Sequence, residues 1–77
     1  MTSRSRSGKP DRTLSDRELD LLRAVASGLT NDEIAASLFL SLSTVKSGIT
    51  SLLDHLGARN RVELTIYAYE HGIVGDR

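Results

Sequence analysis

Cysteine is absent from this 77-residue chain. Neither disulfides nor thiolate metal ligands can brace it, and the redox compartment is left open. No apolar run approaches the roughly 18 residues that a membrane-crossing helix needs. The opening stretch MTSRSRSGKP also lacks the apolar core of a secretory signal. The expected setting is the cytoplasm, with no membrane contact. Catalytic constellations are missing too. His55 and His71 stand apart from any further histidine or carboxylate cluster at ligand spacing, so no metal is expected. No phosphate-cradling glycine loop and no nucleophile–base pair can be assembled, so no enzyme activity and no cofactor are expected. A chain this short has room for one small domain, with little concave volume for a small-molecule ligand.

Net charge is also lacking, since ten basic side chains balance ten acidic ones. The balance hides an asymmetry. Residues 1–12 set Arg4, Arg6, Lys9 and Arg12 against Asp11 alone, a net of +3, which leaves −3 for residues 13–77. The first twelve residues are rich in Ser and Arg, with Gly8 and Pro10 and almost nothing to bury. They are expected to be a disordered basic arm or linker ahead of a domain at 13–77. A domain that meets polyanions is ordinarily basic, so the acidic balance of 13–77 counts against that class of partner.

Part of that acidity has a structural use. Ser15-Asp16-Arg17-Glu18 and Thr30-Asn31-Asp32-Glu33 read as capping boxes, and Asn60-Arg61-Val62-Glu63 as the asparagine variant. Asp16, Asp32 and Glu33 also place negative charge at the positive ends of helix dipoles. Arg17 and Arg61 have neighbouring acids such as Glu18 and Glu63 to pair with; a structural ion pair is expected for Arg17, and Arg61 is left undecided. With Ser41 as a further N-cap, four helices follow from these starts, with Gly28, Gly57 and Gly72 as stops. Their expected spans are about 16–27, 31–38, 42–56 and 61–71. No strand pattern appears, and the fold class is all-α, a four-helix domain. The first helix carries Leu19, Leu22, Val25 and Ala26 on one stripe, and the second buries Ile34, Ala35 and Leu38. A short second helix, the tight link Phe39-Leu40-Ser41 and a long third helix match the helix-turn-helix unit.

The third helix organises the rest. Leu42, Val45, Ile49, Leu52, Leu53 and Leu56 share its inner side at helical spacing. Ser43, Lys46, Ser47, Thr50 and Asp54 share the other. Short hydroxyl side chains let such a helix approach another surface closely, and a DNA major groove is wide enough to admit one. The fourth helix has more apolar surface than one contact absorbs. Leu64 and Ala68 lie on one side, and Val62, Ile66 and Tyr69 on another. That second stripe suits a partner, and a homodimer would suit two-fold symmetric half-sites on DNA.

The stretch LSDRELDLLRAVASGLTNDEIAASLFLSLSTVKSGITSLLDHLG, followed by RNRVEL and HGIV, resembles the LuxR-type helix-turn-helix domain of bacterial transcription regulators, also called GerE or NarL/FixJ-type. The likeness covers about residues 14–74. Its most specific parts are Leu14-Ser15-x-Arg17-Glu18, the run from Gly28 to Ala35, and Ser41-x-x-Thr44-Val45-Lys46. The resemblance implies a sequence-specific DNA-binding domain, such as the effector domain of a response regulator, with double-stranded DNA as partner. It implies that the Leu42–Leu56 helix enters the major groove, with Lys46, Ser47 and Thr50 facing bases or nearby phosphates. Ser43 belongs to the same face. Asn31 and Thr44 correspond to backbone-contacting positions. A dimer interface is expected on the fourth helix at Val62, Ile66 and Tyr67.

Two positions depart from the family pattern: Gly48, where His is usual, and His55, where Lys is usual. The expected consequences are a side chain lost beside the groove and less positive charge near the phosphates at neutral pH. Together they predict weak binding with a shallow salt dependence. The alternative reading is a helical protein-interaction module that keeps the fold with weakened or lost DNA contact.

Overall fold

The computed structural model describes residues 14–74. The arm or linker expected at residues 1–12 lies outside the described residues. Four helices follow one another: α1 Asp16–Ala26, α2 Asn31–Leu38, α3 Leu42–Leu56 and α4 Arg61–Glu70. Among the described residues there is no strand, and no single helix is long and apolar enough to cross a membrane.

Two of the three expected capping boxes are complete. The Ser15 hydroxyl accepts from the Glu18 N–H at 3.1 Å, and the Glu18 carboxylate accepts from the Ser15 N–H at 2.9 Å. Thr30 and Glu33 repeat this at 3.1 and 2.8 Å. The third differs by half. Asn60 Oδ1 accepts from the Glu63 N–H, but the Glu63 carboxylate accepts from Arg59 N–H, not from Asn60. Asn60 sits at φ −159°, whereas Ser15 and Thr30 sit near −74°; that rotation turns the Asn60 amide aside and offers its neighbour instead.

Gly57 ends α3 in the left-handed conformation, φ 67°, and the Ala58 N–H closes back on the Leu53 carbonyl at 2.9 Å. α2 ends in the same conformation without glycine. Phe39 takes φ 58°, ψ 44°, while the Leu40 N–H closes on the Ala35 carbonyl at 2.9 Å.

The core lies around α1, which packs on all three other helices, whereas α2 and α4 do not pack on each other. Buried side chains are Leu21, Leu22, Ala24, Val25 and Ala26 from α1, Ile34 from α2, Val45, Ile49 and Leu52 from α3, and Leu64 and Ala68 from α4. Leu53 and Leu56 pack at its edge. Leu42, expected inside, is exposed, because it lines an open recess beside the start of α2 and not the core. Leu19 is only half-buried, and Leu21 takes the central place instead. Between α2 and α3 the chain bends by 106°, within the range of helix-turn-helix units.

Candidate nucleic-acid interface

With Val45, Ile49 and Leu52 fixed in the core, the opposite side of α3 must face outward. Ser43, Thr44, Lys46, Ser47 and Thr50 are all exposed there. The N-terminal end of this face is stiffened by its own cap. The Ser41 hydroxyl accepts from the Thr44 N–H at 3.1 Å and donates to Thr44 Oγ1 at 2.8 Å, with the Ser43 hydroxyl 3.3 Å away. One turn further on, Thr50 Oγ1 donates to the Lys46 carbonyl at 3.0 Å. The Thr50 proton is therefore committed to the helix, leaving an oxygen that accepts and a methyl group that makes apolar contact. Ser47 makes no hydrogen bond of its own to the described residues and keeps both capacities.

Positive charge on this surface comes from Lys46 and Arg61. Lys46 has no ion pair among the described residues. It lines an open recess of about 520 Å³ together with Thr30, Asn31, Asp32, Leu42 and Arg61. Arg61 reaches into this recess from α4. Its Nη1 donates to Asn31 Oδ1 and its Nη2 to the Leu29 carbonyl, both at 2.7 Å. Arg61 makes no ion pair with Glu63 or another acid among the described residues, its guanidinium being directed to Asn31 and Leu29 instead. Arg17 likewise makes no ion pair among the described residues; Glu18, its expected partner, faces His55. Asp32 at the recess and Asp54 toward the far end of α3 are the acids on this side.

Both departures from the family pattern land elsewhere than expected. Gly48 turns toward α1: a Cβ built there would lie 2.5 Å from Leu21 Cδ1. The missing side chain is an interhelical accommodation and not a loss beside the groove. His55 Nδ1 lies 3.2 Å from Glu18 Oε2, so this side chain is directed to the start of α1 and not to a phosphate. The flank of α3 that carries Gly48 and His55 belongs to the helix–helix contact. The lysine charge usual in the family is still missing at position 55, and the expected shallow salt dependence rests on that loss alone.

On α4 the outward apolar residues are Val62, Ile66 and Tyr69, at 66%, 49% and 55% exposure. Tyr67, expected at the interface, is half-buried against the core and stacks on His71 with ring centroids 3.9 Å apart. Tyr69 holds the outward place because it lies three residues beyond Ile66 on the same face. Sequence reading left Arg61 undecided; its partners Leu29 and Asn31 are about thirty positions away, beyond any local pattern.

Comparison with known proteins agrees with this architecture. Residues 12–68 match the family described as "Bacterial regulatory proteins, luxR family". A nitrate/nitrite response regulator protein homolog of Haemophilus influenzae is 41% identical over 70 residues, covering 91% of this chain and 34% of that protein. The transcriptional regulatory protein LiaR of Bacillus subtilis is 38% identical over 65 residues, covering 84% and 31%. The crystal structure of response regulator ChrA, from a heme-sensing two-component system, superposes with a TM-score of 0.74 at 35% identity, covering 86% of this chain and 33% of that one. The chain thus spans about a third of the length of these relatives. It belongs to the luxR family of bacterial regulatory proteins, as a helix-turn-helix domain of the kind found in response regulators.

Proposed function

We propose that this chain binds double-stranded DNA in a sequence-specific way to regulate transcription, with α3 in the major groove. The observation that carries the reading is the outer face of α3. Its hydroxyls, and an ammonium that has no ion pair among the described residues, are held at a rigid, capped helix end, on an element whose other side is locked in the core. Ser47 and Thr50 face base edges. Lys46 serves a base edge or an adjacent phosphate, and Ser43, Thr44 and Asn31 serve the sugar–phosphate backbone. Residues 13–77 form the domain, beside a basic arm or linker at 1–12. The effector domain of a response regulator fits this reading, since the named relatives are response regulators or transcriptional regulators about three times as long.

On DNA the domain pairs with a second copy through α4. Val62, Ile66 and Tyr69 supply an apolar stripe that the fold leaves uncovered. Two copies facing in this way present two α3 helices to half-sites about one helical turn apart. Titrating the isotopically labelled chain with a duplex of random sequence tests the reading. Amide shifts confined to Asn31 and residues 44–51 are expected at low salt. Absence of any shift there would leave the protein-interaction module as the better account.

A further inference from the structure

Arg61 opens α4, yet both of its hydrogen bonds run to the entrance of α2, a helix on which α4 does not otherwise pack. The chemistry of the pair fixes an orientation. A guanidinium has donors only, so the edge of the Asn31 amide that it meets must be the oxygen. With Oδ1 held at 2.7 Å, the Nδ2 edge, with its two donors, is turned away from Arg61. An asparagine amide without such a partner can present either edge, and its oxygen edge would repel a phosphate. The second bond, to the Leu29 carbonyl, anchors the fork so that it does not swing with Asn31. Both acceptors are neutral, so Arg61 keeps its charge behind Asn31, in a recess that Asp32 would otherwise make unfriendly to an anion. Lys46 lines the same recess from α3.

We infer that Arg61 is a positioning residue for backbone recognition. It locks the Asn31 amide with its donor edge outward, so that Asn31 and Lys46 grip one phosphate between α2 and α3. This rests on the DNA-binding reading and adds to it a residue outside the helix-turn-helix.

A double-mutant cycle on the full chain tests it, using a random-sequence duplex and variants shown to be folded by circular dichroism. Asn31→Ala and Arg61→Ala are each expected to weaken binding by about tenfold, the scale of one charge-assisted contact. Once Asn31 is alanine, removing Arg61 should cost less than about threefold, since coupled residues are non-additive. Arg61→Lys preserves charge but lacks the fork, and serves if Arg61→Ala does not fold. It should weaken binding while leaving the salt slope unchanged. Equal losses from Arg61 substitution in both Asn31 backgrounds would overturn the positioning role, pointing to direct phosphate contact or to simple bracing of α4. A fall of about 0.9 in the salt slope with Arg61→Ala would point to direct contact specifically. A wild-type chain that ignores DNA would instead overturn the underlying reading, and the two failures are told apart by that control.

Discussion

Gly48 of α3 and Leu21 of α1 occupy one shared volume. Leu21 is 2% exposed, and its Cδ1 fills the place where a side chain at position 48 would begin. Glycine within a helix costs about 1 kcal/mol relative to alanine, so Gly48→Ala would be stabilising on an open surface. Here Leu21 must move within a close-packed interior, and overpacking typically costs about 1–3 kcal/mol. The expected result is a net loss of up to about 2 kcal/mol. In the Leu21→Val background, which shortens the obstructing side chain, Gly48→Ala should become neutral or stabilising. Chemical denaturation of the four proteins checks this; additive effects would mean that the two side chains do not compete.

Phe39 carries a local cost of a different kind. It adopts the left-handed conformation at the end of α2 while 93% exposed, so no burial offsets the strain. That conformation costs an L-residue roughly 1–2 kcal/mol relative to glycine, reduced by the extra entropy glycine has when unfolded. Phe39→Gly should therefore stabilise the domain by about 0.5–1 kcal/mol, raising Tm by a few degrees (about 4–8 °C per kcal/mol at this size). A fall in Tm would show that the ring makes a stabilising contact in solution.

The helices were legible because their signals are local. Two capping boxes, the glycine stops and the stripes Val45/Ile49/Leu52 and Leu64/Ala68 are each contained within a turn or two of chain. What periodicity cannot convey is the flank of an amphipathic helix. It located Val45, Ile49 and Leu52 on the inner side of α3, where Leu42 turned out exposed, and it did not say that Gly48 and His55 lean toward α1. α1 was read as a one-sided helix on Leu19, Leu22, Val25 and Ala26. Because it is packed by helices on three sides, Leu21 and Ala24 are buried as well. Arg61 was the least legible residue. Its partners lie about thirty positions away, and its nearest acid, Glu63, accepts from the Arg59 N–H and not from Arg61.

Glu18 links a helix cap to a neighbouring helix and should leave a signature in acid. Its carboxyl is held below the ordinary glutamate range mainly by the Ser15 backbone N–H. Partial burial opposes this, and the contact with His55 adds to the lowering. A carboxyl whose folded value is depressed stabilises the fold above its unfolded value of about 4.3, and that contribution fades as pH falls through the folded value. Glu18→Gln keeps the capping geometry and removes the titration. The Tm advantage of wild type over Glu18→Gln should thus be largest above about pH 5 and shrink toward pH 3. An advantage that grew on acidification would reverse the sign and exclude this origin.

Lys46 separates affinity from specificity. It shares its recess with Asn31 and Arg61 at the entrance of α2, whereas Ser47 and Thr50 stand on the exposed face beside it. On the proposed reading, a lysine so placed grips a phosphate. Lys46→Ala should weaken binding to random and to selected duplexes by the same factor, and lower the log–log salt slope by about 0.9. If Lys46 instead gripped a guanine edge, its removal would cost about 1–3 kcal/mol on the selected site alone and relax preference at one base pair. Thr50→Val gives the complementary case. The hydroxyl proton is already committed to the Lys46 carbonyl, so valine removes only an acceptor and keeps the methyl contact. Discrimination should then decline only where the base presents an amino group, with the salt slope unmoved. Competition binding with duplexes varied one position at a time measures both outcomes, and identical profiles for the two variants would mean that α3 reads no bases through either side chain.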